Sequence, residues 1–138
     1  MSLRLPAISF AALLLLGLAV FGLSARSDAA ATGVTGIDSS ACGVVQYGGS
    51  GSAQALIVSD LPLQGDSRQR SLQMNDAIRL VLEGAKWHAG GRSVAFQTCD
   101  DSSAKTGLWT AAQCKANARA YAADPSVLGV IGDRKSVV

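Results

Sequence analysis

The chain reads as an α/β domain: a parallel sheet with helices on both faces. Three observations predict this. Short apolar runs at residues 55–58 and 127–131, and the segment 93–98 with Val94, Phe96 and Thr98 on one face, have the length and composition of strands. The segments between them are long enough for helices, and one carries a strong helical repeat. Turn-forming residues punctuate each junction, among them Asp60 and Pro62, Gly90 and Gly91, and Asp124 and Pro125. Strands that alternate with helices require crossover connections. Right-handed crossovers place the helices on the sheet faces and align the loops after each strand along one rim, where ligands of such sheets bind.

Residues 1–31 open with Arg4, continue through an apolar run from Ala7 to Leu23, and end in small residues around Ala29 and Ala30. This is the layout of a secretory signal peptide, so export with cleavage is expected. A retained membrane anchor is the alternative, because the run is close to the roughly 18 residues at which a spanning helix forms. Ser39-Ser40-Ala41 before Cys42 does not have the composition of a lipoprotein site. Residues 32–54, with Gly48-Gly49-Ser50-Gly51-Ser52, read as a flexible lead-in rich in Gly and Ser. Those glycines precede a strand, whereas a dinucleotide-binding loop would follow one.

The first strand, Ala55-Leu56-Ile57-Val58, is apolar throughout, as expected for a strand covered on both faces. The next segment carries the clearest period in the chain. Met74, Ala77, Ile78, Val81, Leu82 and Ala85 fall on one helical face, with Gln73, Asn75, Asp76, Arg79 and Glu83 opposite. Ser67 or Ser71 starts this helix, and Gly84 with Gly90 and Gly91 supplies its stop signals. The second strand places Val94, Phe96 and Thr98 on one face and closes at Cys99-Asp100-Asp101. The second helix spans residues 108–123 with Ala111, Cys114, Ala118, Tyr121 and Ala122 as its buried stripe. The third strand ends at Gly132, giving a spatial order of second, first, third.

Residues 133–138, Asp-Arg-Lys-Ser-Val-Val, put three charges against an apolar strand. One back-translation, GAT CGG AAG AGC GTC GTG followed by TAG, resembles a common sequencing-adapter read. The tail is therefore expected to be non-native and the chain a truncated fragment, the alternative being a natural polar tail. The chain holds twelve basic and ten acidic residues. Without Arg4, Arg26, Arg134, Lys135, Asp28 and Asp133 in the two ends, eight of each remain, so the charge balance points neither to nucleic acid nor to an acidic surface as partner.

Residues 55–132 resemble the N-terminal part of the type I periplasmic binding proteins, the substrate-binding components of branched-chain amino acid ABC transporters. The likeness rests on Ser59-Asp60-Leu61-Pro62-Leu63-Gln64-Gly65 after the first strand, Gly90-Gly91 before the second and Cys99-Asp100-Asp101 after it. It continues through Asn117-Ala118-Arg119-Ala120-Tyr121 to the run from Asp124 to Gly132. The resemblance implies a two-lobed binding protein that closes on a small ligand, an amino acid or a comparable polar solute, and presents it to a membrane permease. On that reading the chain holds the first half of the N-terminal lobe.

Gln64, Gly65, Asp66 and Ser67 are the ligand-binding candidates, placed at the carboxyl end of the first strand where Gly65 permits close backbone approach and a helix N-terminus could take a ligand carboxylate. The plainer reading is that Pro62 and Gly65 shape the turn and Ser67 caps the helix. Asp100 and Asp101 resemble the family's acidic pair, and equally suit loop and capping roles. Cysteines in an exported chain favour a disulfide. Cys99 and Cys114 bracket a short loop, so these two are expected to pair, leaving Cys42 with a partner outside the chain. No CxxC pair or His/Cys cluster implies zinc, and no cofactor is expected. His88 reads as solvated, Trp87 as cover for the helix end, and Trp109 as a packing or cleft residue. No catalytic constellation is present, and neither a nucleophile elbow nor a phosphate loop follows a strand. A receptor's extracytoplasmic sensing domain is the main alternative, and an exported α/β enzyme the next.

Overall fold

The computed structural model describes residues 33–132; the expected signal peptide and the expected foreign tail lie outside them. The elements are β1 (Ala55–Leu61), a 3-10 turn (Gly65–Ser67), α1 (Arg68–Gly84), β2 (His88–Ala89), β3 (Arg92–Asp100), α2 (Ala111–Ala123) and β4 (Val127–Gly132). The sheet order is β2-β3-β1-β4. β1 pairs in parallel with both β3 and β4, while the two-residue β2 pairs antiparallel with the start of β3. The three expected strands thus take their expected order, and β2 makes the sheet mixed.

Strand alternation divides the core into two layers. Leu56 and Val58 of β1, with Ala95 and Cys99 of β3, pack on one face against Tyr121 of α2. Ala55, Val94 and Phe96 pack on the other against Leu82, Ile78 and Trp87, at and just after the end of α1. The helices therefore cover opposite faces. Phe96, Leu56, Val58 and Val94 are fully buried, each worth about 1.5–3 kcal/mol of transfer free energy.

The faces of both helices differ from the apolar pattern. α1 buries Ser71, Asn75 and Leu82, with Ile78 packed beside them, whereas Val81 is 70% exposed and Ala77 and Ala85 face solvent. The helix is rotated so that Asn75, assigned to the outer face by its polarity, points inward. α2 buries Cys114, Asn117 and Tyr121, and leaves Ala111, Ala118 and Ala122 exposed. Side chains with hydrogen bonds to make, rather than the alanines, decide its orientation.

Residues 33–54 are not a loose lead-in. They run as a strap along the outer edge of β3, with isolated antiparallel bridges at Gln46–Phe96 and Cys42–Cys99. Gly43 N donates to Thr98 O (2.8 Å), Gln46 and Phe96 exchange backbone bonds, and Asp100 N donates to Ala41 O. Gln97 secures the strap through its side chain: its Oε1 accepts from Ile37 N (2.7 Å) and its Nε2 donates to Gly43 O (2.7 Å). Gly48 serves close packing. A Cβ on Gly48 would lie 2.5 Å from Trp87 Nε1, and Trp87 itself is buried edge-on against Tyr47.

The disulfide joins Cys42 to Cys99, and Cys114 is a buried free thiol. This corrects the expected Cys99–Cys114 pair and removes the need for an outside partner for Cys42. The physical reason is the strap: edge pairing sets Cys42 directly opposite Cys99, while the inward face of α2 directs Cys114 toward Asp101. A disulfide fits an oxidising, extracytoplasmic environment. Among the described residues no helix is long and apolar enough to cross a membrane.

Candidate functional site

The carboxyl ends of β1 and β3 open into two loops at the same rim of the sheet, residues 62–67 and 101–110. Asp100 ties them together. Its Oδ1 accepts from Leu63 N and from Ser102 N, each at 2.9 Å, and from the Ser102 hydroxyl. Its Oδ2 accepts from Gln64 Nε2 at 2.7 Å. Burial alone would raise this carboxyl, but the bonds from Ser102, Leu63 and Gln64 outweigh it and hold Asp100 below its usual 3.8. The group is therefore a carboxylate at neutral pH.

A hollow of about 610 Å³ lies between these loops and the strap. Ser40, Gln64, Asp100, Ser102, Ser103 and Gln113 supply its polar lining, and Cys42 of the disulfide forms part of its wall. Hydroxyls and amides dominate, with Asp100 as the one charged residue among the described lining residues. Such a surface offers both donors and acceptors to a small polar molecule.

Of the four residues singled out after the first strand, Gln64 lines this hollow and the other three do not. Gly65 has φ +60° and is pressed against Gly107, at φ +64°; a Cβ on Gly65 would lie 2.8 Å from Gly107 Cα. Its freedom serves contact between the two loops. Asp66 is exposed, and Ser67 stands at the α1 N-cap without a side-chain capping bond. The adjacent acids divide: Asp100 lies at the hollow, whereas Asp101 is fully buried.

A second polar group sits on the α2 face of the same sheet end. Asn117 Nδ2 donates to Asp60 Oδ1 at 2.7 Å and to the Asp100 carbonyl at 3.0 Å. The Tyr121 hydroxyl donates to Asp60 Oδ1 at 2.9 Å, and Cys114 Sγ lies 3.8 Å from Asp101 Oδ2. Burial, then the neighbouring Asp101 and Asp60 charges, push the Cys114 thiol up to about 11. Burial and the Asp60 carboxylate likewise raise the Tyr121 phenol far above its ordinary value. These groups fasten α2 to the ends of β1 and β3, and the Asn117 bonds reach both strands at once.

Asp60, Asp101 and Cys114 each place one ligand atom within 4.8 Å of the others. Two hard oxygens and one soft sulfur could hold a borderline divalent ion such as zinc. The sequence reading missed this group because its members are spread over 55 positions and none forms a spaced pair. The one available signal was Asp60 itself, a carboxylate two residues after a continuous apolar run. No family model, curated protein or solved structure matches this chain. The fold and rim define an α/β domain with a mixed four-stranded sheet, braced by one disulfide among the described residues.

Proposed function

We propose that this chain is part of an exported solute-binding protein, and that the hollow between the strap and the loops after β1 and β3 receives a small polar solute. The observation that carries this reading is the position of the hollow. It lies at the carboxyl ends of the parallel strands β1 and β3, the rim at which ligands of α/β sheets bind, and its lining is rich in hydroxyl and amide groups. The resemblance of residues 55–132 to type I periplasmic binding proteins supports it from the sequence side, and the Cys42–Cys99 disulfide agrees with an extracytoplasmic location. On this reading the protein performs no chemistry of its own and delivers its solute to an ABC transporter permease.

Isothermal titration of the full chain against a panel of amino acids, sugars and small amines tests the reading. Saturable heat with at least one class, weakened by Gln64→Ala, is the expected result. No heat and no change in unfolding temperature with any class would refute it.

A further inference from the structure

We propose that the hollow selects a solute by positive charge: its preferred ligand carries an ammonium or guanidinium group without a compensating carboxylate. This deepens the solute-binding reading and rests on it. The inference comes from the donor and acceptor inventory of the lining. Asp100 brings a full negative charge, and no described residue lining the hollow is basic. An amino acid's carboxylate would meet only neutral hydroxyls and amides there, beside a like charge. A cationic group would meet a carboxylate already held in place.

The carboxylate geometry supports this. Oδ1 is fully engaged by Leu63, Ser102 N and the Ser102 hydroxyl, whereas Oδ2 accepts from Gln64 alone. Oδ2 thus accepts one bond where Oδ1 accepts three, which leaves it acceptor capacity for a ligand N–H. The internal bonds also fix the carboxylate, so little side-chain entropy is lost when a cation docks. They keep it ionised as well. Around it, the side-chain oxygens of Ser40, Ser103 and Gln113 are acceptors for the remaining N–H groups of an ammonium or guanidinium.

The test uses the full chain with four probes: 1,4-diaminobutane and methylguanidinium as cations, leucine as a zwitterion and acetate as an anion. Two variants accompany the wild type. Asp100→Asn removes the charge, and Ala104→Arg adds an opposing one at the exposed rim of the hollow without touching a side-chain hydrogen bond. Far-UV circular dichroism checks that each variant folds. At least one cation is expected to bind the wild type more tightly than leucine or acetate. Its Kd should rise ~2- to 5-fold in Ala104→Arg, the scale of one partly exposed ion pair, and rise again as salt is increased. Leucine or acetate binding as tightly as the cations, or a cation Kd unmoved by Ala104→Arg, would overturn the charge inference while leaving solute binding intact. Silence with all four probes overturns it too, and silence across the wider panel would remove the solute-binding reading with it.

Discussion

Replacing Cys42 with Ala should cost this domain much of its stability, and the size of the loss identifies the pairing. The Cys42–Cys99 bond closes a loop with a sequence separation of 57. In the loop-entropy model, 15 residues give about 3 kcal/mol and 100 residues about 4.7 kcal/mol, so this bond contributes about 4 kcal/mol. A native domain holds only ~5–15 kcal/mol in total. For a domain of this size the loss lowers Tm by roughly 15–30 °C. Cys99→Ala should behave like Cys42→Ala, and adding reductant to the wild type should reproduce both. Cys114→Ala removes one buried thiol and should cost only about 1 kcal/mol, with little further effect of the missing bond. Urea unfolding of the three variants, with and without reductant, makes the comparison. Tryptic mapping adds a readout that does not depend on folding, because Lys105 separates Cys99 from Cys114. The peptide ending at Arg68 should be linked to the one ending at Lys105, with the Cys114 peptide alkylated. A Cys99–Cys114 cross-link, or a Cys114→Ala loss as large as that of Cys42→Ala, would refute the reasoning.

Three further outcomes follow from side chains elsewhere in the fold. Asn75 is buried with both amide atoms lacking hydrogen-bond partners, so Asn75→Leu should stabilise by about 1–2 kcal/mol in urea unfolding; destabilisation would show that its amide is answered by an internal water. The Cys114 thiol should resist alkylation by iodoacetamide until the pH nears 11, and Asp101→Asn should bring that onset down. Because its folded value is raised, the thiol's contribution to stability is fully present below its ordinary 9.0 and is lost as pH rises through about 11; a flat stability profile across that window would contradict the assignment. Gly107→Ala should destabilise by about 1–3 kcal/mol, since the residue has positive φ and its new Cβ would lie 2.5 Å from Gly65 Cα, and an unchanged Tm would rule out the loop contact.

Much of the architecture was legible because it depends on apolar runs. Four fully buried residues, Leu56 and Val58 of β1 and Val94 and Phe96 of β3, sit inside the segments read as the first and second strands. Strand ends were less visible: β1 continues through Ser59 and Asp60 to Leu61, because a strand's backbone pairing does not stop where its side chains turn polar. The strap was misread for a related reason. Gly- and Ser-rich composition signals freedom in an isolated chain, but an open β3 edge offers backbone donors and acceptors to any neighbouring segment. Gln97, an ordinary strand residue by sequence, supplies the side-chain bonds that hold that segment to the sheet.

The helix faces carry the more general lesson. In α1 and α2 alike an asparagine occupies the middle of the inward face, Asn75 in one and Asn117 in the other. A hydrophobic period assigns both to solvent, and the error has different consequences in the two places. Asn117 is repaid by Asp60 and the Asp100 carbonyl, so its burial links the ends of two strands beneath the rim that holds Asp100. Asn75 has no such partner and is a local cost to the fold. The same residue type is thus a brace under the candidate site on one face and a liability on the other. What separates them is whether a carboxylate lies within reach: Asp60 Oδ1 is 2.7 Å from Asn117 Nδ2, whereas neither amide atom of Asn75 is answered. Side-chain parity decides this: Asp60 points to α2, and its neighbour Ser59, buried with an unpartnered hydroxyl, points to the opposite face, which α1 covers.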